Sequence, residues 1–403
     1  MDGNTFLIEE LARKQTDAAM DAVIAAARRG LSAAEVHQLA GAMAESGEVL
    51  GLPENLLTGD LASTGGPSSL STLLAPLYLR AYGLTVPKLG VPGRPAGGVD
   101  VLAQIPGYRV SLSIAEAVEI IQRGGYAHFS ANETIAPLDA ALFRYRQKVK
   151  AQNLPALASA SLLAKKIACR LRFVGLDARV GPHGNFGSHF GEAKSSAELF
   201  CAAAAFAGIQ ATVFLTDARI PYQPYIGRGE ALLAVRLILK GGADPWLSEH
   251  DDRCRLMAAH IAALATSGSA LPQKLDIGGA FATNVDAQGG SMAAFFDATA
   301  AIEAAPRRDI IADREGFLRV DLASLRDVFE VANETNAADE NFPDEIGAIL
   351  RTKPGTYVSR GDVVASIRAS DRVREQLGEA MTNCFHFLDL LDYAPGIEEV
   401  VRA

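Results

Sequence analysis

Apolar residues recur at helical spacing near the start of the chain, which predicts two or three helices over residues 5–50. Ser32-x-x-Glu35 is a capping box, in which two side chains satisfy backbone N–H groups at a helix start, and it predicts a helix over about 33–45. Ser113-x-x-Glu116 repeats this signal, and Gly124-Gly125 ends the helix that it begins. Local capping chemistry therefore predicts where these helices start.

Short apolar runs between the helices predict strands. Residues 171–177 and 211–217 are two such runs, and a shorter one covers 84–86. The helix between the two longer runs is predicted to be capped by Ser195-x-x-Glu198 and to extend to Ala207. Strands that alternate with helices form mainly parallel sheets, so an α/β fold is predicted for this part of the chain.

The pattern changes near residue 316. Short strands are predicted at 317–320, 346–350 and 362–367, and Pro354-Gly355 marks a turn between two of them. The C-terminal part of the chain is therefore predicted to be rich in β-structure.

Composition narrows the class of protein. The chain has 403 residues, more than one hydrophobic core usually serves, so two or three domains are expected. A hydrophobic content of 49% is typical of soluble globular proteins, and a net charge of −9 argues against nonspecific nucleic-acid binding. The N-terminus lacks the apolar core of a signal peptide, and no apolar run has the length of a membrane span. We therefore predict a cytoplasmic protein with no nucleic-acid or membrane partner.

The four cysteines, Cys169, Cys201, Cys254 and Cys384, are widely separated. They form no CxxC motif and no Cys/His cluster with the spacing of metal ligands, so no metal site is predicted. Buried thiols in a reducing compartment are the expected state.

One helix carries the candidate chemistry. Residues 156–168 are rich in Ala and Leu and follow a helix start signal at Pro155. Ser161 and Lys165 are four residues apart on this helix and share one face. An alcohol and an ammonium on one face can bind a planar polar ligand, and Arg146 would add a guanidinium fork from upstream. Taken singly, each charged residue is more typical of a solvated helix face.

The order of these residues gives a family resemblance. Arg146, followed by Ser159-Ala160-Ser161-Leu162-Leu163-Ala164-Lys165-Lys166, resembles the base-binding segment of the thymidine and pyrimidine-nucleoside phosphorylases, which are distantly related to the anthranilate phosphoribosyltransferases. The resemblance implies that Arg146, Ser161 and Lys165 bind the pyrimidine, with Arg146 and Lys165 also catalytic. A base that leaves C1′ of a sugar carries negative charge, which such cations stabilise.

A glycine-rich turn before a helix provides the candidate phosphate site. Ser63-Thr64-Gly65-Gly66 precedes a helix predicted over 68–81, where backbone N–H groups and the helix N-terminus can hold an anion. The resembled family has Lys-His before the same Ser-Thr-Gly-Gly, whereas this chain has Leu61-Ala62. Lys88, in a segment similar to the anthranilate phosphoribosyltransferases, or Arg94 would supply the missing charge. The predicted phosphate ligands are Ser63, Thr64, Gly66, Thr72 and Lys88.

A second glycine-rich stretch follows the strand predicted at 171–177. The resembled family has Lys-Val-Gly-Ser-Gly-Ala-Phe here, and this chain has two histidines, His183 and His189, within 179–189. Because the chain lacks the family's usual histidine, either of the two is a candidate proton donor, and His183 is the one predicted to be catalytic.

The resemblance spans most of the chain and implies its domain organisation. A small helical domain would contain residues 1–50 and 137–168. An α/β domain with a mainly parallel sheet would contain 51–136 and 169–310 and bind phosphate and sugar. A C-terminal β-rich, barrel-like α+β domain would cover 311–403. Members of the family pair their subunits partly through the first helices, so a homodimer is also implied.

The implied function is cleavage of the N-glycosidic bond of a pyrimidine nucleoside or deoxynucleoside by phosphate, which gives the free base and a sugar 1-phosphate. This is a pentosyl transfer with inorganic phosphate as co-substrate and no cofactor. Two alternatives stay open. One keeps the base site but uses another acceptor, such as water, or a phosphorylated sugar donor, and the other is a nucleoside-binding protein without catalysis.

Overall fold

The computed structural model describes residues 3–64, 66, 68–93, 95–130, 134–151, 154–181, 186–268, 270–333, 342–390 and 399–402. Its helices are α1 (Gly3–Lys14), α2 (Asp17–Arg29), α3 (Ala33–Glu45), α4 (Ser71–Ala81), α5 (Gly98–Leu102), α6 (Ile114–Gly124), α7 (Pro137–Lys148), α8 (Pro155–Ala168), α9 (Phe190–Phe206), α10 (Arg228–Leu239), α11 (Pro245–Ala265), α12 (Ile277–Ala287), α13 (Met292–Ala304), α14 (Leu322–Ala332) and α15 (Asp371–Thr382). Its strands are β1 (Gly59–Ser63), β2 (Val86–Gly90), β3 (Tyr126–Ser130), β4 (Phe173–Val180), β5 (Gln210–Asp217), β6 (Tyr225–Ile226), β7 (Arg308–Ile311), β8 (Gly316–Val320), β9 (Ile346–Leu350), β10 (Tyr357–Val358), β11 (Val363–Ala369), β12 (Phe385–Leu388) and β13 (Glu399–Arg402).

A four-stranded sheet with the order β1-β4-β5-β13 forms the centre of the α/β region. β1 and β5 run parallel to β4, and β13 pairs with β5 in the antiparallel sense. All 8 residues of β4 are buried, and α9 and α11 pack against it. Parallel strands buried in this way have nearly continuous apolar runs, so the strands predicted at 171–177 and 211–217 are confirmed as β4 and β5.

Two of the three predicted capping boxes are confirmed. The Ser32 hydroxyl accepts from the Glu35 N–H at 3.3 Å, and Glu35 Oε2 accepts from the Ser32 N–H at 2.7 Å. Ser113 and Glu116 make the same reciprocal pair at 3.2 and 2.9 Å. α3 and α6 therefore begin where the local chemistry indicates.

The third predicted cap is wrong. α9 begins at Phe190, directly after His189, whose Nδ1 accepts from the Glu192 N–H at 3.3 Å. Ser195 lies inside the helix, and its hydroxyl donates to the Gly191 carbonyl at 3.3 Å. A serine inside a helix can bond back to the preceding turn, so the Ser-x-x-Glu spacing carries no capping signal here.

The elements around the first glycine-rich turn are shifted relative to the prediction. β2 begins at Val86, where the strand predicted at 84–86 ends, and it pairs in parallel with β3. α4 begins at Ser71, later than the predicted start at residue 68. β2 contains a proline and Lys88, which interrupt the apolar pattern that sequence analysis uses to find a strand.

Two antiparallel sheets form the C-terminal part, with the orders β10-β8-β12 and β6-β9-β11-β7. The strands predicted at 317–320, 346–350 and 362–367 correspond to β8, β9 and β11. With the parallel sheet and the helices, they confirm the predicted fold class. The two regions also exchange strands, because β6 joins the C-terminal sheet and β13 returns to the parallel one. The division into three domains stays a prediction.

The four cysteines are free and buried. Burial raises the pKa of the Cys169 thiol to about 12 and that of the Cys201 thiol to about 11. Both thiols are therefore protonated at neutral pH and are poor nucleophiles. In the described ranges, no helix is long and apolar enough to cross a membrane.

Candidate functional site

Lys165 lies on α8 beside a hydroxyl of the same helix and a carboxylate of α7. Its Nζ donates to the Ser161 hydroxyl and to the Ser161 carbonyl, both at 3.2 Å. It also forms an ion pair with Asp139 Oδ2. The spacing of four residues places Ser161 beside Lys165, and the packing of α7 supplies the carboxylate. The side chain of Lys165 is 20% exposed, so a ligand can reach it.

Arg146 lies on α7 and is buried, with 2% of its surface exposed. Its Nε donates to the Ala151 carbonyl at 3.1 Å, and its Nη1 donates to the Leu157 carbonyl at 3.4 Å. Burial lowers the pKa of Arg146, and the Asp139 carboxylate opposes that shift. Asp139 thus acts on both cations. We call Asp139, Arg146, Ser161 and Lys165 the base-side cluster.

The residue after Lys165 links α8 to the parallel sheet. Lys166 forms an ion pair with Asp60 Oδ2 of β1, and Lys88 of β2 lies 2.8 Å from Asp60 Oδ1. Burial alone would raise the pKa of Asp60, but the ammonium groups of Lys166 and Lys88 outweigh it and lower the pKa to about 2. Asp60 is therefore an anion between two buried cations. It connects the helix that carries the base-side cluster to the strand that leads into the glycine-rich turn.

The position of Lys88 does not fit its predicted role as a phosphate ligand. Its side chain is buried, and its Nζ also donates to the Leu61 carbonyl at 2.5 Å. An ammonium with these partners belongs to the interior of the α/β region, because it balances the charge of Asp60 there.

The glycine-rich loop that leads from β2 into Gly98 of α5, which we call the second glycine-rich loop, packs against a buried imidazole. His128 Nδ1 lies 3.0 Å from the Tyr126 hydroxyl, and burial lowers the pKa of His128 to about 3. A Cβ added at Gly98 would lie 2.2 Å from His128 Cε1. Only glycine allows the loop to approach the ring this closely. The loop is therefore organised around a neutral histidine.

The first glycine-rich turn follows β1 directly, and we call residues 63–66 the phosphate loop. The Thr64 N–H donates to the Asp177 carbonyl at 3.0 Å, and the Thr64 hydroxyl accepts from the Arg179 N–H at 2.9 Å. Gly66 has a φ of +119°, a backbone conformation that favours glycine. Thr72 is half-buried in the first turn of α4. The structure thus places four predicted phosphate ligands, Ser63, Thr64, Gly66 and Thr72, between the end of β1 and the start of α4.

A buried ion pair on β4 lies beside this loop. Asp177 Oδ2 accepts from Arg179 Nε at 3.1 Å and from Arg179 Nη2 at 2.8 Å. Asp177 also accepts hydrogen bonds from the hydroxyls of Ser71 at 2.8 Å and Thr216 at 2.9 Å. The Arg179 guanidinium carbon lies 4.0 Å from the centre of the Tyr222 ring. The pair therefore joins β4, β5 and the start of α4.

Comparisons with known proteins identify relatives of this chain. A thymidine phosphorylase from Sinorhizobium fredii (strain NBRC 101917 / NGR234) is 28% identical over 390 residues, which cover 92% of this chain and 87% of the relative. A pyrimidine-nucleoside phosphorylase from Geobacillus stearothermophilus is 24% identical over 370 residues, or 87% of this chain and 84% of the relative. This chain is a relative of these phosphorylases. The predicted resemblance is thereby confirmed.

Further comparisons bear on the fold and on the distance of the relationship. Thymidine phosphorylase from Homo sapiens is 30% identical over 261 residues, which cover 60% of this chain and 54% of the human protein. The crystal structure of anthranilate phosphoribosyltransferase from Thermus thermophilus matches with a TM-score of 0.53 and 15% identity, over 75% of this chain and 95% of that chain. That match shows a shared fold. No protein-family model matches this relative of the phosphorylases.

The structure describes only one of the two candidate proton donors. His183 lies outside the described residues. His189 caps α9 through Nδ1, so its accepting nitrogen already has a structural partner. Among the residues that the structure describes, no group of three or more His, Cys, Asp or Glu side chains could hold a metal ion.

Sequence analysis did not single out Asp139, which pairs with Lys165, or the buried pair of Asp177 and Arg179. Asp177 and Arg179 are charged residues in the otherwise apolar run that forms β4, and residues two apart on a strand point to the same face. Charges within a buried strand need partners, so this spacing was a usable signal of a buried polar site.

Proposed function

We propose that this protein is a pyrimidine-nucleoside phosphorylase, a pentosyltransferase that cleaves the N-glycosidic bond with inorganic phosphate. A phosphate oxygen would form a bond to C1′ of the sugar while the bond from C1′ to the base nitrogen breaks. The electron pair of the broken bond goes to the base, which leaves as an anion and takes up a proton. The products are the free base and a sugar 1-phosphate.

The base-side cluster is the observation that carries this proposal. Lys165 has its ammonium beside the Ser161 hydroxyl at 3.2 Å and remains partly exposed. Preorganised donors of this kind stabilise charge that develops on a leaving group, because they need no rearrangement during the reaction. In this proposal, Lys165 and Ser161 contact the pyrimidine edge, and Asp139 positions Lys165. Arg146 adds a second cation to the same site.

The phosphate loop would hold the attacking phosphate. Backbone N–H groups in a glycine-rich turn and the N-terminus of α4 both favour an anion there. Ser63, Thr64 and Thr72 add hydroxyl donors at this position. Closure of the helical region onto the α/β region would bring sugar and phosphate together, and a homodimer paired through the first helices is part of the proposal.

Release of base from uridine or thymidine, followed by UV absorbance with and without phosphate, tests the proposal. We expect release to depend on phosphate. Release at the same rate without phosphate would contradict it and would favour water as the acceptor.

A second candidate, a transferase that uses a phosphorylated sugar, is favoured by one observation. Leu61 occupies the position at which the resembled family has lysine, two residues before Ser63. Its side chain is completely buried. Base consumption with a sugar phosphate, but not base release with inorganic phosphate, would select this candidate. Binding of nucleoside without turnover of any of these substrates would select a non-catalytic binding protein.

A further inference from the structure

We propose that Arg179 binds an oxygen of the phosphate group at the phosphate loop through its Nη1 atom. The inference deepens the proposed function and rests on it for the identity of the anion. The ligand class is a phosphate oxyanion, either inorganic phosphate or the phosphate of a phosphorylated sugar.

The first observation is an unpartnered donor on a buried cation. Arg179 is 2% exposed, and its Nε and Nη2 both donate to Asp177. Its Nη1 is buried and has no hydrogen-bond partner among the described residues. A buried N–H group without a partner is unfavourable, so such groups in folded proteins are usually completed by a ligand or by water.

The second observation is the direction of that donor. A Cβ added at Gly66 would lie 3.9 Å from both Cδ and Nη1 of Arg179, so the side of the side chain that carries Nη1 lies next to the phosphate loop. The bonds to Asp177 fix the guanidinium from one edge, and the Tyr222 ring covers its face at 4.0 Å. The orientation of Nη1 is therefore set by the protein before any ligand binds.

The third observation is the helix that begins beside the loop. α4 starts at Ser71 and has 11 residues, and the Leu70 side chain at its N-cap makes no capping hydrogen bond. The partial positive charge of this helix end adds to that of Arg179. The Ser71 hydroxyl bonds to Asp177, so the helix start lies beside the same ion pair as the glycine turn, and a cation near a glycine turn is suited to a phosphate group.

The charge of Asp177 is compatible with an anion at this position. Its two oxygens accept four hydrogen bonds: two from the guanidinium, one from Ser71 and one from Thr216. Nη1 is the guanidinium nitrogen that does not bond to Asp177. Although burial opposes the charged form, Asp177 raises the pKa of Arg179, so the guanidinium stays charged at neutral pH. An anion would meet the free edge of a permanent cation.

The test compares Arg179→Gln with a matched control, Arg219→Gln. Arg219 forms the same kind of ion pair with the aspartate two residues earlier, Asp217, but is 44% exposed. Calorimetry would measure binding of inorganic phosphate, ribose 5-phosphate and uracil to each full-length protein. We expect Arg179→Gln to weaken binding of the phosphate-bearing ligand by roughly 10- to 100-fold, as for one charge-assisted hydrogen bond, and to leave uracil binding unchanged. Arg219→Gln should change neither.

Arg179→Gln leaves the Asp177 carboxylate buried without its cation, so a second pair of variants changes Asp177 as well. Asp177→Asn retains Arg179 and should bind the anion at least as tightly as the wild type. Asp177→Asn combined with Arg179→Gln has no buried charge left unpaired and should lose anion binding by the same factor. In steady-state kinetics, the loss should appear in the KM for phosphate and not in the KM for nucleoside.

Three outcomes distinguish this inference from the proposed function. Equal phosphate binding by wild type and the Arg179 variants would overturn the inference while phosphorolysis by the wild type still stood. Arg179-dependent binding of ribose 5-phosphate without phosphorolysis would support the inference and reject the phosphorylase. Failure of the folded wild type to bind either anion would overturn the inference.

Discussion

The base-side cluster and the phosphate loop draw on different parts of the fold. Lys165 and Ser161 come from one helix, and Asp139, the carboxylate partner of Lys165, comes from the helix before it. Arg179 instead reaches the phosphate loop from a neighbouring strand, and it leaves one donor without a partner among the described residues. Lys165 thus has partners within the protein, whereas a bound anion is the partner that we propose for Nη1 of Arg179.

Asp60 joins these two sides, so its substitution tests whether they depend on one another. Asp60→Asn leaves Lys88 and Lys166 buried without their shared counter-ion. We expect the free energy of unfolding, measured in urea, to fall by about 3–5 kcal/mol. Asp17→Asn is the control, because Asp17 pairs with Lys148 at 3.6 Å on the exposed surface, and its effect should stay within about 0.5 kcal/mol. Equal stability of Asp60→Asn and wild type would show that the buried network is dispensable.

Substitution of Lys165 separates the chemistry of the base side from that of the phosphate side. Lys165→Met removes the ammonium that we propose faces the leaving base, and kcat/KM should fall by roughly 10²–10³-fold, or about 3–4 kcal/mol. Phosphate affinity should not change. Lys14→Met is the control, since Lys14 also contacts a residue four positions earlier, Glu10, but on an exposed helix. Wild-type kcat/KM in Lys165→Met would remove Lys165 from the reaction.

Acid titration tests the same link through Asp60. Its pKa in the folded protein is about 2, below the ordinary value of 3.8, so the folded state binds this proton less tightly than the unfolded state. The resulting stability is present above pH 3.8 and is lost as the pH falls toward 2. We expect wild type to lose about 2 kcal/mol over this range in addition to the loss seen in Asp60→Asn. Parallel pH profiles for the two proteins would argue against the predicted ion network.

Gly98 tests the second glycine-rich loop and should have the smallest effect. An alanine Cβ at this position would meet the His128 ring at 2.2 Å, so Gly98→Ala should destabilise the fold by roughly 1–2 kcal/mol in thermal unfolding. Gly51→Ala is the control, because nothing lies within 4 Å of its added Cβ. An unchanged Tm in Gly98→Ala would mean that the loop and the ring separate easily.

Local signals predicted that Ser161 and Lys165 are neighbours. Ser161 and Lys165 are neighbours on one helix face, and that relation depends only on helix periodicity. Arg146 is linked to them only through Asp139, whose carboxylate pairs with Lys165 and acts on the Arg146 charge. The caps of α3 and α6 are local for the same reason: each box places both partners within one turn.

The positions of Lys88 and Arg179 were not predicted, because the residues that surround them are distant in sequence. Lys88 was expected at the phosphate, yet it lies in the interior, since Asp60 and the packing of three elements around it decide its position. Arg179 lay within a segment expected to be a loop, but β4 extends through it, and the strand directs the guanidinium toward Gly66. Periodicity indicates which face a residue occupies, but it does not indicate which loop that face meets.

The most direct test of the account is phosphorus NMR of the wild-type protein with uridine or thymidine and inorganic phosphate. We expect the inorganic phosphate signal to be replaced by that of a sugar 1-phosphate, in one-to-one proportion with the base released. Release of base while the inorganic phosphate signal stays constant would contradict it.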